Sequence, residues 1–251
     1  MAEREGFGVL LERLAECRQL DLGALARSAD VGESELNSLL RGGGPSPALL
    51  RQLAPALGLH TSDLFVIADV DVPVDLAPAD PTAGSLVPQL VRNAVALSPQ
   101  QRKVLGEFVT SLPQEARELP VPTPPAFKHY PHGPGSVLMR LAHNRNLRWT
   151  AIAKTFLAAT SRYWAAATYG GVGRGTTPVT AELLADFCAV LDVPSEDLEA
   201  VTGLALPEAP SHAKPTVAGV AELIWDMRRL TYSQLQEARN LSVSMQRPCA
   251  T

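Results

Sequence analysis

The feature that most constrains this chain is a repeat of itself. Leu49, Leu50, Leu53, Leu57, Leu59, Asp63 and Leu64 recur 134 residues later as Leu183, Leu184, Phe187, Leu191, Val193, Asp197 and Leu198. Apolar residues at steps of three and four, followed by an acid and a leucine, describe a helix, a turn and the start of another helix. Upstream, 147–154 (LRWTAIAK) parallels 20–27 (LDLGALAR), with Ile152 and Ala153 on Leu25 and Ala26. A chain that carries such an element twice is built from copies of one small helical unit. Residues 135–204 read as a second, divergent copy of 7–68, with one extra residue in the turn and a longer loop at 170–177.

The first copy contains five short helical patterns, at 7–18, 22–29, 33–41, 46–57 and 61–67. Asp21, Ser46 and either Thr61 or Ser62 are suitable N-caps, because a side-chain oxygen there accepts from the unpaired amides of the first turn. Gly42-Gly43-Gly44-Pro45 breaks the chain after the third pattern. Helices this short, within about 60 residues, make a globule rather than a long bundle. Three proline-rich stretches, 71–85, 113–134 and 206–215, read as extended connectors. Between the first two, 86–112 holds two amphipathic helices broken near Ser98-Pro99, belonging to neither copy. Residues 229–242 echo 19–32 and form at most a partial third module, an α-hairpin. No segment shows the alternation of a half-buried strand.

The stretch LARSADVGESEL (25–36), followed by Leu39, Arg41-Gly42 and PSPALLRQLAPALGL (45–59), resembles the λ-repressor-like helix-turn-helix domain of bacterial and phage regulators, the XRE type. The resemblance covers 7–68. It implies an all-α fold of two λ-repressor-like helix-turn-helix domains joined by proline-rich linkers, with extra amphipathic helices. The expected partition is 1–70 for the first domain and 71–133 for linkers flanking the helices of 86–112. The second, basic domain takes 134–205, and a linker with a C-terminal hairpin takes 206–251. It also implies that the third helix, 33–41 in the first copy, faces the major groove.

Charge separates the copies. The net is −4, but 119–181 hold seven Lys/Arg and no acid, whereas 1–118 hold 10 Lys/Arg against 16 Asp/Glu. An acid-free window can neutralise phosphates, the source of sequence-independent DNA affinity. Arg140, Arg145, Arg148, Lys154, Arg162 and Arg174 lie in it, interleaved with Trp149, Tyr163, Trp164 and Tyr169. Thr160 or Ser161 is the expected cap of the second copy's third helix. The expected DNA contacts there are Arg148, Thr150, Lys154, Ser161, Arg162, Tyr163, Thr168 and Arg174, with Trp164 packing at the position of Leu36. In the first copy they are Ser34, Asn37, Ser38 and Arg41, beside Glu33 and Glu35, whose carboxylates repel phosphate. Which copy touches DNA stays open. So does a second class of function, a protein–protein adaptor that keeps the helix-turn-helix fold without binding DNA.

Other signals are weaker. The glycines of 170–175 lack the flanking strand of a dinucleotide fingerprint and the Gly-Lys-Ser/Thr of a phosphate loop. His129 and His132 have no Cys/His partners, so no metal is expected. Cys188 falls on an apolar helix face and reads as core. No paired carboxylates or Ser/His/Asp set is arranged for chemistry. The expectation is therefore a DNA-binding transcriptional regulator, not an enzyme, without cofactor or evident small-molecule effector. It would act on double-stranded DNA as a homodimer. Three scattered cysteines, no apolar run of membrane length and no leader pattern imply a cytoplasmic protein that does not enter membranes.

Overall fold

The computed structural model describes residues 6–114, 130–131, 133–148, 150–205 and 219–246. Among these the chain is all-helical, with fourteen α-helices and no strand. The first five are α1 (Phe7–Cys17), α2 (Leu22–Ala29), α3 (Glu33–Leu40), α4 (Pro47–Ala56) and α5 (Thr61–Ile67). Then come α6 (Val87–Ala96) and α7 (Pro99–Ser111). A second set of five follows: α8 (Pro134–Asn144), α9 (Thr150–Thr160), α10 (Ala166–Gly173), α11 (Ala181–Leu191) and α12 (Ser195–Thr202). The chain closes with α13 (Val220–Met227) and α14 (Tyr232–Gln246).

The two five-helix sets share their packing plan. α1 lies on α3, α2 on α3 and α4, and α4 on α5; correspondingly α8 lies on α10, α9 on α10 and α11, and α11 on α12. Helix starts repeat as well. Ser46 Oγ accepts from the Leu49 amide at 3.1 Å, and Thr180 Oγ1 accepts from the Leu183 amide at 3.3 Å, 134 residues on. Such a cap stabilises its helix by about 1 kcal/mol. Left-handed residues fall in pairs too: Gln19 with Asn146, Asp30 with Ser161, Gly42 with Gly175, Gly58 with Asp192 and Asp69 with Gly203. Gly8 of α1 touches the backbone of α3 at Leu39–Leu40, and Gly135 of α8 touches that of α10 at Val172, so closely that neither position has room for a Cβ.

Each set buries its own leucines. Leu11, Leu14, Leu25, Leu36, Leu50, Leu53, Leu64 and Phe65 fill the first core, which Ala200 and Val201 of α12 join. Fully burying one such side chain stabilises the fold by about 1.5–3 kcal/mol. The second core is larger, because α6, α7, α13 and α14 add Val87, Leu90, Leu105, Ile224, Met227 and Leu235 to it. At its centre Phe156, Tyr169 and Phe187 meet edge to face, with ring centroids 4.9–6.1 Å apart. The amphipathic helices of 86–112 therefore belong to the second core.

Four expectations change. The fifth helix already begins at Thr61, with His60 at its N-cap and no side-chain cap bond, so neither Thr61 nor Ser62 caps it. The stretch 71–85 is not an extended connector: Ala77 and Ala83 are buried, and Ala83–Ser85 is a 3-10 turn. Asp80 accepts from the Thr82 amide and hydroxyl and from the Tyr232 amide, so a carboxylate caps turns that proline cannot bridge itself. In the second set the third helix begins at Ala166, not at Thr160 or Ser161; Thr160 ends α9, and Ser161 turns the chain left-handed. Residues 170–173, read as loop, are its second half. The other proline-rich stretches lie almost entirely outside the described residues, as do His129, His132 and Trp149.

The sets face each other through an approximate twofold. α1 packs on α12, and α8 packs on α5. Arg18, at the end of α1, holds Asp197 with two bonds of 2.7 Å. Arg145, at the end of α8, holds Asp63 with two bonds of 2.8 and 2.9 Å. One turn earlier, Arg13 donates to the Ala200 carbonyl and Arg140 to the Val66 carbonyl. Every partner in one pair has its counterpart in the other, which is the signature of an isologous contact.

The C-terminal hairpin breaks that symmetry. Arg228, placed in the third echo where Arg18 stands in the first copy, donates to Ser62 Oγ, to Asn144 O and Oδ1, and to the Leu76 carbonyl. Trp225 stacks on His60 at 3.5 Å between ring centroids and lies beside both Arg145 and Arg228. The Asp63 end is thereby sealed, whereas the Arg18 side chain at the other end stays 20% exposed.

Candidate nucleic-acid interface

Three of the six arginines and lysines expected to form a basic face are committed elsewhere. Arg145 is fully buried on Asp63 and the Leu191 carbonyl. Arg140 pairs with Asp69. Arg162, the residue expected to read bases, donates from Nε to Asp186 at 2.9 Å, and Trp164 Nε1 donates to the other Asp186 oxygen at 2.7 Å. Burial raises the pKa of Asp186 above the usual carboxylate value, and the bonds from Trp164 and Arg162 pull it back. Those acids lie outside the acid-free window, two of them some 70–80 positions away, where a linear scan does not find them.

What remains is ordered by the twofold. Arg27 on α2 corresponds to Lys154 on α9, and Arg41 after α3 corresponds to Arg174 after α10. All four side chains are exposed, and none has an ion pair among the described residues. Arg41 donates from its Nε to the Asn37 carbonyl at 3.2 Å. Arg27 was not among the expected contacts, although it is aligned with Lys154 in the 20–27/147–154 parallel. Arg148 and Thr150, at the start of α9, are also exposed.

The third helices differ. On α3, Glu33, Ser34, Glu35 and Ser38 are exposed, Asn37 is half-buried, and Leu36 and Leu39 anchor the helix inward. Asn37 Nδ2 donates to the Glu33 carbonyl at 2.9 Å. On α10 the corresponding run is Ala166, Ala167, Thr168, Tyr169, Gly170, Gly171, Val172 and Gly173. The counterpart of Leu36 is therefore Tyr169, not Trp164; its hydroxyl pKa is raised by burial. Gly170, Gly171 and Gly173 are buried, with Thr177 against Gly171 and the Tyr130 ring against Gly173. Ser161 and Tyr163 are exposed in the connection before α10, with Tyr163 at 71%. Thr168 is half-buried on the helix itself.

Other chemistry is sparse. Cys188 is half-buried against the second core, and burial pushes its thiol up to about 12. No group of His, Cys, Asp and Glu among the described residues could hold a metal. No helix among them is long and apolar enough to cross a membrane. No family model, curated protein or solved structure matches the chain.

Proposed function

We propose that this protein is a DNA-binding regulator made of two helix-turn-helix units of the λ-repressor-like kind, fused in one chain. The observation that carries the reading is the matched set Arg27/Lys154 and Arg41/Arg174: exposed cations with no ion pair among the described residues, at equivalent places on the second helix and just after the third helix of both units. Most other arginines of the two units are consumed by ion pairs or carbonyls. Cations flanking the third helix hold phosphates and fix the register of the helix in the groove. Ser34, Asn37 and Ser38 of α3 then face base edges, where asparagine suits adenine and serine suits several partners. Regulators of this kind pair two chains through an isologous contact; here the Arg18–Asp197 and Arg145–Asp63 contact pairs the two units within one chain.

Glu33 and Glu35 favour the second reading, a protein-binding adaptor, because both carboxylates sit on the exposed face of α3. Titrating the full chain onto random duplex DNA across a salt series separates the two. The DNA reading expects log affinity to fall steeply with log salt, by about 0.9 per phosphate neutralised. Weak binding with a flat salt dependence supports the adaptor.

A further inference from the structure

We infer that the DNA partner is asymmetric: one half-site is read by α3, and the neighbouring half is held by phosphate contacts alone. The inference rests on the DNA-binding reading above and concerns what the second unit contributes to it. A symmetric dimer presents two identical third helices and selects an inverted repeat. Here the twofold relates α3 to α10, but the two helices carry different chemistry.

Where α3 has Glu33, Ser34, Glu35, Asn37 and Ser38, α10 has Ala166, Ala167, Thr168, Gly170 and Gly171. Only Thr168 offers a polar side-chain atom. A glycine or alanine cannot donate to or accept from a base edge, so the direct code of the major groove goes unread there. The loss is fixed in the packing. Thr177 occupies the space a side chain on Gly171 would need, and the Tyr130 ring occupies that of Gly173. Yet Lys154 and Arg174, the cations flanking this same helix, are exposed like Arg27 and Arg41. A unit retired from DNA altogether would have no reason to keep cations at the two equivalent positions. The combination retains charge and discards readout.

The test is selection of random duplexes by the full chain, repeated with two variants. The wild type should enrich a single motif one half-site wide with no inverted repeat, inside a longer protected footprint. Ser34→Ala/Asn37→Ala/Ser38→Ala should lower preference for that motif by roughly ten- to a hundredfold while keeping the salt dependence. Lys154→Ser/Arg174→Ser should weaken binding to all sequences alike, leave the motif unchanged and reduce the salt slope by about 1.8. Circular dichroism of both variants confirms that these surface changes leave the helices intact. An inverted-repeat motif overturns the inference while leaving DNA binding in place, as does a motif lost with Lys154 and Arg174 but kept without the α3 side chains. Absence of salt-dependent binding by the wild type overturns the DNA reading and this inference with it.

Discussion

Arg18 and Arg145 occupy the same place in the two halves of the molecule, and each reaches across to the other half's fifth helix. Arg18 grips Asp197 and donates to the Leu14 carbonyl; Arg145 grips Asp63 and donates to the Leu141 carbonyl. The two clamps differ in their surroundings. The Arg145–Asp63 pair is at most 3% exposed, and the Arg228 and Trp225 side chains lie over it. Removing one partner of a buried pair strands the other charge, which costs about 3–5 kcal/mol. At the partly exposed Arg18–Asp197 pair, water can solvate the survivor, and the cost falls toward about 1 kcal/mol.

The first prediction follows from that contrast. Asp63→Asn should destabilise the protein by about 3–5 kcal/mol and Asp197→Asn by about 1 kcal/mol in urea denaturation. Equal losses would show that the hairpin does not seal the Asp63 end.

The second concerns Arg162. With its guanidinium on Asp186, Arg162→Ala leaves a buried carboxylate without its cation, held by Trp164 and Thr160. We expect a stability loss of about 1–3 kcal/mol and an unchanged salt slope for DNA. A slope smaller by one would return Arg162 to the interface.

The third concerns glycine. Gly8→Ala and Gly135→Ala force a methyl into the backbone of α3 and α10 respectively and should each cost about 1–3 kcal/mol. Gly106, inside α7, has open space around it. Gly106→Ala should therefore stabilise the protein by about 0.5–1 kcal/mol. Thermal denaturation of the three variants gives the comparison.

The fourth is a pH dependence. Burial lowers the pKa of His60, and Arg145 and Arg228 lower it further against the opposing effect of Asp63 and Asp192. The folded protein thus binds a proton on His60 less readily than the unfolded chain, whose histidines titrate near about 6.5. The stability from this group is complete above that pH and declines as pH falls through it. His60→Gln should flatten the wild-type decline between about pH 7 and 5.5. An identical decline in the variant would assign it to other groups.

How much of this was legible depended on distance along the chain. Ser46, Asp21 and the leucines of α4 announce themselves through neighbours three and four residues away. The offset of 134 held because α11 and α12 carry no insertion relative to α4 and α5. Ahead of them the second set has gained residues, four between Asn146 and Ser161 and two between Ser161 and Val172 relative to their counterparts. An alignment that allowed one extra residue therefore placed the third helix too early. The glycines of α10 compounded this, since glycine disfavours helix in isolation; burial against Tyr130 and Thr177 overrides that preference. The acid-free window looked like a surface because its neutralising partners, Asp63 and Asp69, lie in the other half.

Joining the halves in one polypeptide removes a step that two-chain regulators cannot avoid. Separate subunits part on dilution, so their occupancy of a target depends on protein concentration more steeply than a simple hyperbola. Tethered halves meet at an effective concentration set by the connecting chain, on the order of millimolar for short flexible links. The contact built on Arg18 and Arg145 is therefore insensitive to how many copies of the protein a cell contains. On the proposed DNA-binding reading, a single chain acting alone occupies its target in simple proportion to protein at low levels, a graded response without a threshold.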